Sequence, residues 1–145
     1  MLNFENSATF LAGKEPSVSL RNFWAPENGF VWSTGKWCEV SFPFDTGARP
    51  PFGLADLVMD VDTFKYEDKL RGQNVAVYLN GLRIGSLYCT RRVTSIFQFD
   101  AKTLTKTENT ITLDTPDSTR PEEFGLRDGR LLGLQLYSLQ IRRAD

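Results

Sequence analysis

The dipeptide Asn80-Gly81 lies between Val75-Ala76-Val77-Tyr78-Leu79 and Leu82-Arg83-Ile84-Gly85-Ser86-Leu87-Tyr88. A two-residue hairpin turn matched to the twist of its strands needs positive φ at both central positions, and Asn-Gly tolerates it well. Apolar residues alternate on both sides, so the segment predicts two antiparallel strands in a fixed register. With that hairpin placed, most of the remaining chain reads as further short strands.

The sequence has 145 residues, which suits one domain over 1–145 with a buried core of its own. Eleven Phe, three Trp and four Tyr favour β-structure, because large flat side chains pack well on a pleated surface. The formal net charge of −1 offers no general attraction to nucleic acid or to an anionic membrane. The pairs Arg91-Arg92 and Arg142-Arg143 read as solvated edges. No stretch approaches the roughly 18 apolar residues of a membrane-spanning helix, so membrane insertion is not expected. The start, Met1 to Asn6, lacks the basic and apolar regions of a signal peptide, and a cytoplasmic location is the expectation. Cys38 and Cys89 then read as reduced, packed thiols.

Residues 1 to 16 are weakly patterned and read as an edge segment or lead-in loop. Ser17 to Phe23 alternates as a first strand, and Phe30 to Ser33 resumes extended structure after the turn-rich Trp24-Ala25-Pro26-Glu27-Asn28-Gly29. Lys36 to Phe44 is one strand with Cys38, Val40, Phe42 and Phe44 facing the core and Trp37, Glu39 and Ser41 facing away. Leu57, Met59 and Val61 line the next strand, Ser95 to Phe99 another, and Ile111 and Leu113 the inward face of Asn109 to Asp114. Ala101 to Leu104 suggests one helical turn. Thr119-Arg120-Pro121-Glu122 offers a capping box with Pro in the first turn, and Gly125 a stop, which predicts a short helix over 120–124. The last strand, Leu131 to Arg142, changes apolar phase from Leu132, Leu134, Leu136 to Tyr137, Leu139, Ile141, and that slip predicts a bulge near Leu136. About eight strands and one short helix suit an all-β, two-sheet antiparallel sandwich of jelly-roll type. A single-sheet barrel is the alternative.

Histidine is absent. That removes Ser-His-Asp and Cys-His nucleophilic machinery and imidazole zinc sites. Two cysteines about 50 residues apart are not a zinc motif. The remaining enzymatic route is a carboxylate pair drawn from Glu27, Glu39, Asp60, Asp62 and Asp128, and sequence spacing brings no two of them together. The reading is therefore non-enzymatic. No cofactor is expected; Asp60 and Asp62 share a strand face, where solvent or a structural Ca2+ would accept them.

Trp24, Trp32 and Trp37 fall within 14 residues. Sugars present C–H faces that stack on aromatic rings and hydroxyls that need planar polar partners. Trp37 alternates opposite the core face, while Trp32, beside Phe30 and Val31, reads as core. Trp24 and Glu27 lie in a loop, where binding residues concentrate. Asp128 and Arg130, two apart in an extended segment, point to one side, either as an ion pair tying down the long loop or as ligand contacts. Asn80 is explained by its turn.

The order of motifs is similar to that of a β-sandwich domain of bacterial surface-polysaccharide proteins. The motifs are Trp24-x-x-Glu27, Gly29-Phe30-Val31-Trp32-Ser33, Gln73-x-Val75-x-Val77, Asn80-Gly81, Pro121-x-x-Phe124-Gly125 and Asp128-x-Arg130-x-Leu132-Gly133-Leu134. Domains of this kind accompany glycosyltransferases and resemble jelly-roll carbohydrate-binding modules. The resemblance implies a non-catalytic, lectin-like accessory role in polysaccharide synthesis or modification, with a saccharide as ligand and a glycosyltransferase as partner. The residues assigned to sugar contact are Trp24, Glu27, Trp37, Asp128 and Arg130. The competing expectation is a structural or protein-interaction sandwich without a sugar ligand, in which all three indoles are buried.

Overall fold

The Asn80-Gly81 hairpin forms as the sequence predicts. Asn80 and Gly81 have φ of 49° and 83° and join β8 (Gln73–Leu79) to β9 (Leu82–Cys89), with Leu79 opposite Leu82. In the computed structural model, which describes residues 1–10, 15–48 and 50–144, the other strands are β1 (Leu2–Asn3), β2 (Ser7–Thr9), β3 (Ser19–Arg21), β4 (Val31–Thr34), β5 (Trp37–Phe42), β6 (Phe44–Asp45), β7 (Leu54–Thr63), β10 (Val93–Asp100), β11 (Asn109–Asp114) and β12 (Leu132–Arg143). Eight of these twelve are four or more residues long. The leading segment contributes the short β1 and β2, and its residues 11–14 lie outside the described set.

The strands form two antiparallel sheets. One runs β10-β7-β12, with β2 and β4 both paired to β12; the other runs β3-β5-β11-β8-β9. Apart from the β5–β6 step and the β8–β9 hairpin, the chain from β4 onward passes between the two layers at each connection, as in a jelly roll. Pro43 has no N–H to donate, and the expected strand Lys36 to Phe44 breaks there. Phe44 and Asp45 pair instead with Leu2 and Asn3 in a small parallel ladder. The strand read as Ser17 to Phe23 is ordered only over Ser19–Arg21, with Phe23 bridged singly to Ser33.

The inward faces follow the alternation. Val40, Phe42, Val77, Leu79, Ile111 and Leu113 from one sheet meet Leu57, Met59, Val61, Leu134, Leu136 and Leu139 from the other, all buried in one cluster. Each contributes roughly 1.5–3 kcal/mol of burial. Strand β12 holds nine register positions against β7, and that register shifts between Leu136 and Ser138. The extra residue is Tyr137, so the bulge is where the apolar phase changes. Tyr137 itself, expected inward, is half-buried: the guanidinium of Arg92 lies 3.6 Å from its ring centroid and Phe30 lies 5.2 Å away.

Two short 3-10 turns complete the chain, Ala101–Thr103 and Pro121–Phe124, the second ended by Gly125 at φ 85°. The capping box does not form. Arg120 is the N-cap and gives no side-chain cap, because Thr119 is held in a bridge to Leu132 and its hydroxyl donates to the Asp117 carbonyl.

The hairpin turn also anchors its neighbours. Asn80 Nδ2 donates to Thr103 O (2.8 Å) and Asn109 Oδ1 (3.1 Å), and its Oδ1 accepts from Thr110 N (2.8 Å). Asn80→Gly keeps the positive φ but loses these three bonds, and should lower the unfolding free energy by about 1–3 kcal/mol. Asn80→Ala adds a left-handed penalty of about 1 kcal/mol or more. Urea unfolding measures both; an alanine variant as stable as the glycine variant would contradict this account of the turn.

Candidate functional site

The loops at residues 22–30, 64–72 and 115–131 and the turn at Gly35 gather at one end of the sandwich, where β4, β7 and β11 end and β5, β8 and β12 begin. Each is locally determined. Glu27 and Phe30 exchange backbone hydrogen bonds of 2.9 and 3.1 Å around Asn28 and Gly29, whose φ values are 48° and 89°. This is a second Asn-Gly hairpin turn, and it fixes Glu27 beside Trp24, whose N–H donates to Trp32 O. In the long loop, Glu122 N donates to Asp128 O, and Asp128 Oδ1 accepts from Arg130 N at 3.0 Å.

Four of the five residues assigned to sugar contact meet here. Arg130 Nη1 donates to Glu27 Oε1 at 2.9 Å. Its Nη2 donates to Asp128 Oδ2 at 2.8 Å, and its Nε reaches both Asp128 oxygens at 3.1 and 3.2 Å. The guanidinium carbon lies 5.9 Å from the Trp24 ring centroid. These bonds to Asp128 and Glu27 hold Arg130 above the ordinary arginine range. In return, the side-chain bond from Arg130 holds the Asp128 carboxyl below the usual aspartate range. Asp128 is therefore ionised at neutral pH. The side chains are 30–40% exposed, so the network orders the loops more than it stabilises them. It is the ion pair of the sequence reading: three of the five guanidinium N–H donors are engaged, and two have no acceptor among the described residues.

Beside this network lies a cleft of about 550 Å³, walled by Trp24, Thr34, Gly35, Arg120, Gly129 and Arg130. Trp24 is 39% exposed. Beneath the cleft, Ser33 Oγ accepts from Leu134 N, and Ser118 Oγ donates to Thr115 O. A Cβ on Gly133 would fall 2.3 Å from Ser118 Oγ, so only glycine fits under the loop.

Trp37 lies elsewhere. The β4–β5 turn carries it onto the outer face of the five-stranded sheet, where Arg21 stacks 5.0 Å from its ring and it remains 37% exposed. Its register partner is Asp114. On the same face is a groove of about 520 Å³ lined by Lys36, Ala76, Tyr78, Arg83, Ser86 and Asp114, with Asn74 at its end. Sequence reasoning missed Tyr78, Arg83 and Asp114 as candidates. Alternation alone puts Tyr78 on the outer face, opposite Val77 and Leu79, but the pairing that brings Arg83 and Asp114 to it depends on strand register. Trp32 is half-buried, edge-on to Phe30.

The three other candidate carboxylates are paired. Asp60 receives two bonds from Arg92 (3.0 and 2.8 Å), Asp62 bonds Lys65, and Glu39 lies 3.8 Å from Arg21. Asp60 and Asp62 are thus neutralised by cations of the chain itself, and no cluster of three or more metal-ligating side chains occurs among the described residues. Cys38 and Cys89 are both buried, on β5 and β9 of one sheet. Three strand spacings, roughly 14 Å, separate those strands, which is beyond disulfide reach. Burial pushes both thiols up. A further depression of about 530 Å³ at the opposite end is lined by Thr46, Pro50, Phe52, Leu54 and Arg143; its described lining includes no carboxylate or side-chain amide.

No protein-family model and no curated protein matches the sequence. Among solved structures, the chain is similar to the CBM36-1 domain of a multidomain xylanase from the hindgut metagenome of Trinervitermes trinervoides, with a TM-score of 0.56 and 14% identity over 97% of this chain and 98% of that one. It is similar to the family 35 carbohydrate-binding module from Clostridium thermocellum, with a TM-score of 0.56 and 13% identity over 95% and 98%. It is also similar to CBM35 from Paenibacillus barcinonensis, with a TM-score of 0.55 and 8% identity over 96% and 99%. At these identities the similarity establishes the fold, a β-sandwich of the kind seen in carbohydrate-binding modules.

Proposed function

We propose that this chain is a non-catalytic carbohydrate-binding module, and that it serves bacterial polysaccharide synthesis or modification beside a glycosyltransferase. The observation that carries the binding role is the Trp24 indole, exposed at a cleft beside a guanidinium whose direction two carboxylates fix. A pyranose face would stack on the ring, and its hydroxyls would bond the two unengaged N–H groups of Arg130 and the second oxygen of Glu27. Similarity to the fold of carbohydrate-binding modules supports this role. The glycosyltransferase partner rests on the sequence resemblance. A purely structural sandwich would bury its indoles, and the exposure of Trp24 and Trp37 favours the sugar reading over it.

Two outcomes follow. On a glycan array that includes xylans and bacterial capsular polysaccharides, the chain should bind at least one saccharide. Trp24→Ala should weaken that binding tenfold or more, the scale on which a buried aromatic anchor acts, with an unchanged circular dichroism spectrum. Binding to no saccharide, or undiminished binding by Trp24→Ala, overturns the proposal. The second outcome concerns pH. A carboxylate held below its ordinary value keeps its contribution above that value, about 4, and loses it as pH falls through the lowered one. Binding should therefore be level from pH 8 to about 4 and fall below that as Asp128 takes up a proton. Arg130→Gln should weaken binding and move the Asp128 titration upward, read by carboxyl NMR; a titration unmoved by the substitution would contradict the assigned network.

A further inference from the structure

The geometry points to one continuous track, from the Trp24 cleft over the Gly35-Lys36 turn to the Tyr78 groove, that takes a linear oligosaccharide several units long rather than a single terminal sugar. This inference rests on the carbohydrate-binding reading above and specifies its ligand. The two depressions meet at consecutive residues of one turn. Thr34 and Gly35 border the first, and Lys36, the next residue, borders the second. Gly35 sits at φ 77°, and a Cβ built there would meet nothing within 4 Å, so the saddle between them is open. The saddle is also fixed, because Thr115 N donates to Lys36 O at 2.8 Å and ties the turn to the end of β11.

Beyond the saddle the sheet offers what a chain of sugars needs. Trp37, Asp114, Ala76 and Ser86 stand in one cross-strand row, and Glu39, Thr112, Tyr78 and Arg83 in the next. Trp37 and Tyr78 are two strands and one rung apart, roughly 12 Å between Cα atoms, so the two rings serve different units of one chain. Ala76 and Ser86 are small and leave a furrow beside them. The polar groups along it are free: among the described residues, the side chains of Lys36, Arg83, Ser86 and Asp114 form no hydrogen bond or ion pair, unlike Glu39, Asp60 and Asp62. Polar side chains left unpaired along a furrow with an aromatic wall are available to the hydroxyls of a ligand.

Calorimetric titration of the full chain with two ladders, xylose to xylohexaose and galacturonic acid to its hexamer, tests the track. In at least one ladder affinity should climb tenfold or more between two and five units. Tyr78→Ala, and Ser86→Trp, which fills the furrow from the edge strand, should each remove that climb so that long and short members bind alike. Trp24→Ala should weaken every length. Affinity that is flat with length, a climb that survives both sheet-face variants, or silence of both ladders while an array returns another saccharide would overturn the track and leave the binding proposal standing. Silence of the array as well removes both.

Discussion

The ladder between β7 and β12 is the constraint on which the rest of the molecule depends. Strand β12 is the longest among the described residues and pairs with β7 from Leu134 to Arg143, while β4 and β2 share its other edge in succession. A strand of that length must keep its apolar set inward, and a slip of one residue would turn every later side chain to the wrong face. The bulge at Tyr137 resolves this. It absorbs one residue, so Leu134 and Leu136 before it and Leu139 and Ile141 after it all reach the same core. The residue left over is one that tolerates the rim: Tyr137 lies under the Arg92 guanidinium, which Asp60 orients in turn.

The same strand sets the position of the loop end. Arg130 stands two residues before β12 begins, and Gly133 is the point at which the long loop closes over the sheet, too close to Ser118 for any side chain. From there the guanidinium reaches across to Glu27 on the β3–β4 loop, joining two segments more than 100 residues apart. An exposed network of this kind adds little free energy, but it removes rotational freedom from the groups that would meet a ligand, and pre-ordered groups give up less entropy on binding. The structural ion pair and the proposed recognition site are the same arrangement of atoms.

Period-two alternation made most of the architecture legible: the hairpin, the inward faces of β5, β7 and β11, and the slip in β12 were all readable because one face of each strand is buried. Local rules failed where a longer-range contact competed. Thr119 has the right neighbours for a cap, yet its backbone is engaged with Leu132, and Pro43 divides a strand whose alternation runs through it. The site was half legible. Trp24, Glu27, Asp128 and Arg130 come together at one end of the sandwich, but Trp37, near Trp24 in sequence, is sent to the outer face of the five-stranded sheet by the turn at Gly35. Tyr78, Arg83 and Asp114 escaped notice because what unites them is register across β9, β8 and β11, which no single segment encodes.

The proposed recognition of sugars requires rings kept open to solvent, as Trp24 and Trp37 are. The three tryptophans give three indole N–H signals in a nitrogen-correlated NMR spectrum, one per ring. During titration with a saccharide, the Trp24 signal should move first and furthest, the Trp37 signal should follow with longer chains, and that of half-buried Trp32 should stay in place. Signals that all remain still at saturating saccharide, or a shift confined to Trp32, would contradict the account.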